Sequence, residues 1–211
     1  VATPSRWLFD LWSLVYDFSP VQALVYRPVH DAVVARLREL QPRRVLDVGC
    51  GTGLLTARLR RELPAATVVG CDFSPGMLAR AAGRDPRGWW VRGDAQQLPV
   101  ASACFDALVC TESFHWYADQ RAALREFFRV VVPGGLVLIE TVNPSVELAG
   151  RLASCVGRLV GTPFVWPTQE QMRTALEAVG FRVESQRAIV RLPAPLLFPG
   201  VLALARRPAS S

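Results

Sequence analysis

The chain has 211 residues, 51% of them apolar and 20% charged, a balance that excludes a disordered or fibrous protein and gives enough length for one core-forming domain. Its formal charge of +6 comes from 24 cations against 18 acids, and every cation is an arginine. With no lysine ε-amine, Schiff-base, pyridoxal and P-loop lysine chemistry are excluded, and short pairs such as Arg43-Arg44 and Arg206-Arg207 fall well below the runs that mark a basic tail.

In chain order, the residues before Arg43 predict helices over Trp7–Asp17 and Pro28–Leu40 and no strand. From Arg43 onward, short runs rich in β-branched and aromatic residues alternate with helical patterns. Strands are predicted at Arg44–Val48, Thr67–Cys71, Trp89–Arg92, Phe105–Cys110 and Leu136–Val142. Helices are predicted between them at Leu54–Leu63, Pro75–Ala82 and Gln120–Val130, the second opened by Ser74 as N-cap with Pro75 at the first helical position. A glycine-interrupted stretch over Pro144–Gly161 follows, then a helix over Thr168–Val179 with a capping box of Thr168 and Gln171. Two further strands are predicted at Arg182–Val190 and Val201–Arg206.

This alternation implies right-handed crossovers and a parallel sheet with helices on both faces, an α/β fold. Residues 1–42 are expected to form a helical lid and residues 43–211 the α/β domain, with 144–167 as an insertion framing a pocket. The five cysteines (Cys50, Cys71, Cys104, Cys110 and Cys155) are odd in number and lack zinc spacing. Four stand in or beside apolar runs, as small buried hydrophobes do, so a reduced, cytoplasmic protein without a metal is expected. Arg6, Asp10 and Asp17 break the N-terminal apolar residues, and Pro193, Pro195 and Pro199 break the apolar stretch from Leu192 to Ala205; neither reads as a signal or a membrane span.

Val45 to Gly53 is the most informative segment. A buried strand runs into glycines at 49, 51 and 53 and then at once into a helix. Glycine permits the sharp turn and a close backbone approach to a ligand. The third glycine of a G-x-G-x-x-G dinucleotide fingerprint would fall on Leu54, so the spacing differs from that motif. Asp47 stands two residues before the first glycine, where a carboxylate repels a pyrophosphate and suits a cationic or hydroxyl-rich ligand. Asp72 and Asp94 end the second and third predicted strands, so three acids collect at the carboxyl ends of three successive strands, where open α/β sheets bind ligands.

In these segments the chain resembles the class I S-adenosylmethionine-dependent methyltransferases, within them the small-molecule and quinone methyltransferase group. Val45–Gly53 resembles the family's first motif, Gly70–Leu78 its second, and Gly93-Asp94-Ala95 its third. Phe105–Cys110 resembles the fourth strand, Val132-Pro133-Gly134-Gly135 the turn before the fifth, and Gly180-Phe181 the entry to the sixth. The resemblance implies a Rossmann-like seven-stranded sheet, mostly parallel, with strand 7 antiparallel between strands 5 and 6. It implies that Gly49, Cys50, Gly51 and Gly53 meet the methionyl part of S-adenosylmethionine, with Asp47 anchoring their loop. Asp72 would take the ribose hydroxyls, Phe73 and Met77 would flank the adenine, and Asp94 with the Ala95 amide would bind its edge. Thr111 would lie beside the methionine end, and Arg27, in Tyr26-Arg27-Pro28, near the cofactor carboxylate.

His115, one of two histidines, follows the fourth strand in Thr111-Glu112-Ser113-Phe114-His115-Trp116-Tyr117, on the face where the methyl group should project. An imidazole there could act as general base or could shape the pocket. Nucleic-acid methyltransferases of the amine-modifying kind carry Asn/Asp-Pro-Pro-aromatic at this point, and this loop does not, so a small apolar or aromatic acceptor is expected rather than nucleic acid. The alternatives are a lipid or quinone methyltransferase working at a membrane surface and a non-catalytic cofactor-binding protein of the same fold.

Overall fold

The computed structural model describes residues 26–142, 165–189 and 200–209. The helix expected at Trp7–Asp17 and nearly all of the 144–167 insertion lie outside the described residues. The elements in order are α1 (Arg27–Leu40), β1 (Arg44–Val48), α2 (Leu54–Glu62), β2 (Thr67–Asp72), α3 (Pro75–Arg84), β3 (Trp89–Arg92) and β4 (Phe105–Cys110). A 3-10 turn (Phe114–Trp116), α4 (Gln120–Val130), β5 (Val131–Val142), α5 (Gln169–Ala178), β6 (Arg182–Ile189) and β7 (Gly200–Arg206) complete them.

The seven strands form one sheet in the order β3-β2-β1-β4-β5-β7-β6. The β1–β2, β2–β3, β1–β4 and β4–β5 pairs are parallel, and β7 is antiparallel to both β5 and β6. Alternation along each central strand divides the core into two layers. Val45, Ala107, Val109, Leu136 and Leu138 face one layer with Val33, Leu37, Leu55 and Leu59 of α1 and α2. Leu46, Val48, Leu108, Cys110, Val137 and Ile139 face the other with Leu124, Phe127 and Leu176 of α4 and α5. A strand buried on both faces needs a nearly continuous apolar run, and this is why the central strands read as such in the sequence. Helix α1 buries Val29, Val33, Val34 and Leu37, so it belongs to the same core as the sheet.

Local signals act where the sequence places them. Ser74 Oγ accepts from the Met77 amide, and Thr168 and Gln171 form the reciprocal capping box. Strand β5 starts five residues earlier than its apolar run suggests: Val131 pairs with Phe105 before a register shift, and Gly134, at φ +82, carries the chain through Pro133-Gly134. Strand order reverses between β1 and β4, with β2 and β3 on one side and β5 on the other, which opens a crevice at their carboxyl ends.

Candidate active site

That crevice holds a cavity of about 250 Å³ and a smaller one of about 40 Å³ beside it. The larger is bounded by Gly49 and Gly51 after β1, Asp72 at the end of β2 with Phe73 and Met77 after it, Asp94, Ala95 and Gln96 after β3, and Glu112, Ser113, His115, Trp116 and Tyr117 after β4. The smaller is lined by Asp47, Cys50, Thr52 and Thr111. Tyr26, Gly49, Gly51 and Glu112 face both.

The glycine loop is built by three different constraints. All three glycines have positive φ, +72 at Gly49, +54 at Gly51 and +77 at Gly53. A Cβ on Gly49 would overlap the Ser113 hydroxyl, and one on Gly53 would lie 2.6 Å from the Trp90 ring and 2.9 Å from Ala81 Cβ. A Cβ on Gly51 would meet nothing within 4 Å. Gly49 and Gly53 therefore serve packing, and Gly51 alone leaves open space on the cavity side. Gly53, although next to the loop, lines neither cavity. The Gly49 and Cys50 amides both donate to the Cys71 carbonyl, at 2.8 and 3.1 Å, which ties the loop to the end of β2.

Asp72 completes that tie. Its carboxylate accepts from the Gly51 amide and the Ser74 amide, each at 2.9 Å, while also forming part of the cavity wall. Asp47 is 1% exposed and accepts from the Thr56 hydroxyl at 2.6 Å, so it anchors α2 to β1 and reaches only the smaller cavity. Burial raises its pKa to about 7, against the lowering effect of the Thr56 bond and with a further rise from the Asp72 charge. Because the folded-state pKa stands above the unfolded one, the protonated form is favoured by folding. Stability on this account is highest below about pH 4 and falls as pH rises through about 7. Urea titrations at pH 5 and pH 8 should therefore show the parent losing about 2–3 kcal/mol more than Asp47→Asn, which keeps an acceptor for Thr56 and carries no charge. Equal losses in both proteins would show that Asp47 is ionised in the folded chain throughout that range.

On the opposite wall, Ser113 donates to the Val48 carbonyl at 3.2 Å, Tyr117 lies 2.8 Å from the Ser113 hydroxyl, and the Cys110 thiol lies 3.2 Å from it. Burial pushes the Tyr117 phenol well above its usual pKa and the Cys110 thiol up to about 12, so both stay protonated near neutral pH. His30, at the smaller cavity, is held down to about pKa 4 by burial and by the Arg58 charge, and is neutral there. His115 is 6% exposed, with Trp116 at 5.2 Å and Trp166 at 6.4 Å between ring centroids. The turn that carries it is clipped to the returning chain by Val165, whose amide donates to the His115 carbonyl at 3.1 Å, and by Gln120, whose side-chain amide donates to the Val165 carbonyl at 2.7 Å.

Of the residues singled out by sequence, Gly49, Gly51, Asp72, Phe73, Met77, Asp94, Ala95 and His115 line the larger cavity, and Asp47, Cys50 and Thr111 the smaller. Arg27 is exposed and lines neither; the adjacent Tyr26 faces both. Tyr26, Gln96, Glu112, Ser113, Trp116 and Tyr117 also line the larger cavity, and of these the sequence marks only Trp116, as a neighbour of His115 that could shape the pocket. All six sit within two residues of a site residue expected from the sequence. Glu112 has left-handed backbone, φ +56, which no glycine or asparagine announces, and its amide donates to the fully buried Glu140 at 3.2 Å.

Comparison with known proteins gives the same direction. The family described as "Methyltransferase domain" matches residues 46–139. A demethylmenaquinone methyltransferase of Thermus thermophilus is 35% identical over 169 residues, covering 69% of this chain and 77% of that protein. A malonyl-[acyl-carrier protein] O-methyltransferase of Herminiimonas arsenicoxydans is 37% identical, over 80% of this chain and 65% of that protein. Among solved structures, the magnesium protoporphyrin IX methyltransferase of Synechocystis, with bound S-adenosylhomocysteine, superposes at a TM-score of 0.71, with 21% identity and 94% of each chain covered.

Proposed function

The chain belongs to the class I S-adenosylmethionine-dependent methyltransferases, and from that premise we propose that it methylates a small, uncharged, apolar or aromatic acceptor held in the larger cavity. The observation that carries this reading is the cavity's lining. His115, Trp116 and Tyr117 supply aromatic surface on the wall after β4, apart from the cofactor-side carboxylates Asp72, Asp94 and Glu112. Those acids suit a cationic cofactor, and among the described residues lining the cavity no arginine is offered to the carboxylate of a malonyl acceptor. A quinone, the acceptor kind named for the Thermus thermophilus relative, is of the favoured class.

The residues present fit the cofactor: an acid at the end of β2, open space at Gly51, and apolar side chains beside Ala95. When bound, S-adenosylmethionine supplies a methyl group already activated on a sulfonium. In our reading Asp72 holds the ribose hydroxyls while its bonds to Gly51 and Ser74 fix the loop. Phe73, Met77 and Ala95 flank the adenine, and Asp94 takes its amino group. Asp47, Cys50, Thr111 and Glu112 surround the amino-acid end, with Tyr26 closer to it than Arg27. The chain's own contribution to rate is then alignment and exclusion of water, effects worth roughly 7–11 kcal/mol in favourable cases. The free thiols Cys50, Cys71, Cys104 and Cys110 fit a reducing compartment, so our reading puts the protein in the cytoplasm. No helix among the described residues is long and apolar enough to cross a membrane.

Packed between two tryptophans, His115 acts in this reading as a wall of the acceptor pocket. His115→Gln should keep turnover within about tenfold of the parent with the same pH profile, well short of the 10²–10⁴-fold loss that removal of a general base brings. A larger loss that removes one limb of the pH–rate profile would make His115 a base. Transfer of labelled methyl from S-adenosylmethionine to quinols and phenols, assayed beside a malonyl thioester, tests the acceptor class. Labelling of the malonyl thioester alone would overturn it.

A further inference from the structure

Gln96 stands in the larger cavity where two of its walls meet, and it bonds to both. Its side-chain carbonyl accepts from the Asp119 amide at 2.8 Å; Asp119 is the N-cap of α4 and follows directly on the turn that carries His115, Trp116 and Tyr117. Its side-chain NH₂ donates to Asp94 Oδ1 at 3.2 Å, with Oδ2 at 3.5 Å, and its backbone amide donates to Oδ1 at 2.8 Å. The amide orientation is forced, because the flipped form would set NH₂ against an N–H and oxygen against a carboxylate. Ser113 joins the same turn to β1; the loop after β3 reaches the start of α4 through Gln96, and further along it reaches the end of α4 through Leu98, bonded to Glu126 and Arg129.

We propose that Gln96 is a positioning residue that couples occupancy of the adenine end of the site to the order of the acceptor-side turn. The proposal rests on the reading above that Asp94 receives the adenine amino group. Among the described residues Asp94 Oδ2 has only the long Gln96 contact, so it is the oxygen on which a ligand donor can settle. A donor there fixes the carboxylate, the carboxylate holds the Gln96 amide, and the amide holds the start of α4 and the turn before it. Ordering passes through one side chain with two hydrogen-bonding ends, a coupling by loss of freedom that needs no large movement. Glutamine suits this task and glutamate does not: a carboxylate at 96 could still accept from Asp119 but would repel Asp94.

Amide hydrogen exchange with and without S-adenosylhomocysteine tests this without an acceptor. In the parent, the ligand should slow exchange across residues 93–97 and also at the Trp116 and Tyr117 amides, which close the 3-10 turn on Ser113 and Phe114, by about tenfold or more. In Gln96→Met the slowing should persist at 93–97 and shrink to about twofold or less at Trp116 and Tyr117. Gln96→Glu should behave like the Met variant although it retains the Asp119 bond, which separates coupling from a simple loss of support for α4. Equal slowing at Trp116 and Tyr117 in parent and both variants would overturn the proposal. Absence of slowing at 93–97 in the parent would instead remove the adenine site itself, and the proposal with it.

Discussion

Asp72→Ala should weaken cofactor binding by at least about tenfold in a chain that still folds. The carboxylate has three tasks: it accepts from Gly51, accepts from Ser74, and faces the cavity at the end of β2. Removing it leaves two amides without their acceptor, at about 1–3 kcal/mol for each that stays dry, and frees the middle of the glycine loop. The ribose hydroxyls would lose a charged acceptor at the same time, worth about 1.5–3 kcal/mol. The ribose contact alone amounts to about ten- to a hundredfold in affinity, read by calorimetry, and the freed loop adds to that loss. Asp72→Asn should lose less, because its carbonyl can keep one of the two amides. An alanine variant that binds as tightly as the parent would remove Asp72 from the site.

The second large effect separates two neighbouring glycines. Gly53→Ala should destabilise the fold by about 2–5 kcal/mol, combining left-handed strain with overpacking against the Trp90 ring and Ala81. Gly51→Ala should cost only the backbone strain, about 1–2 kcal/mol, since its Cβ meets nothing. In binding the order reverses. On the proposed reading the methyl group added by Gly51→Ala would enter the space the cofactor needs and should cut affinity by about tenfold or more, beyond any change in the folded fraction. Trp90→Leu in the Gly53→Ala background should recover part of the lost stability. Thermal melts and calorimetry on the same samples decide this; a Gly51→Ala variant with parental affinity would show that the open space is not used.

Elements whose signals are local were legible in the sequence. Helix α4 spans Gln120–Val130 as its helical pattern indicates, and the capping box of Thr168 and Gln171 is fully formed. The parallel sheet followed from strand and helix alternation, and the position of β7 from the family resemblance. Contacts between distant residues were not legible. Trp90 packs under Gly53, Gly70 and Gly88, and Asp106 accepts from the Arg43 and Arg44 amides, yet no spacing rule joins these positions. Glycine periodicity likewise marked a ligand loop without showing which glycine yields space and which yields packing. The acceptor wall was the least legible part, because Ser113, Tyr117 and Gln96 act through hydrogen bonds to Val48, to each other and to Asp119 that only the folded chain brings within reach.

The central claim is that the cofactor lies across the carboxyl ends of β1, β2 and β3, and a crystal structure of the chain with S-adenosylhomocysteine tests it most directly. The expected result is the ribose hydroxyls on Asp72, the adenine between Phe73, Met77 and Ala95 with its amino group on Asp94, and the amino-acid end in the smaller cavity beside Asp47 and Glu112. Ligand bound elsewhere, or bound here with its ribose away from Asp72, would contradict it.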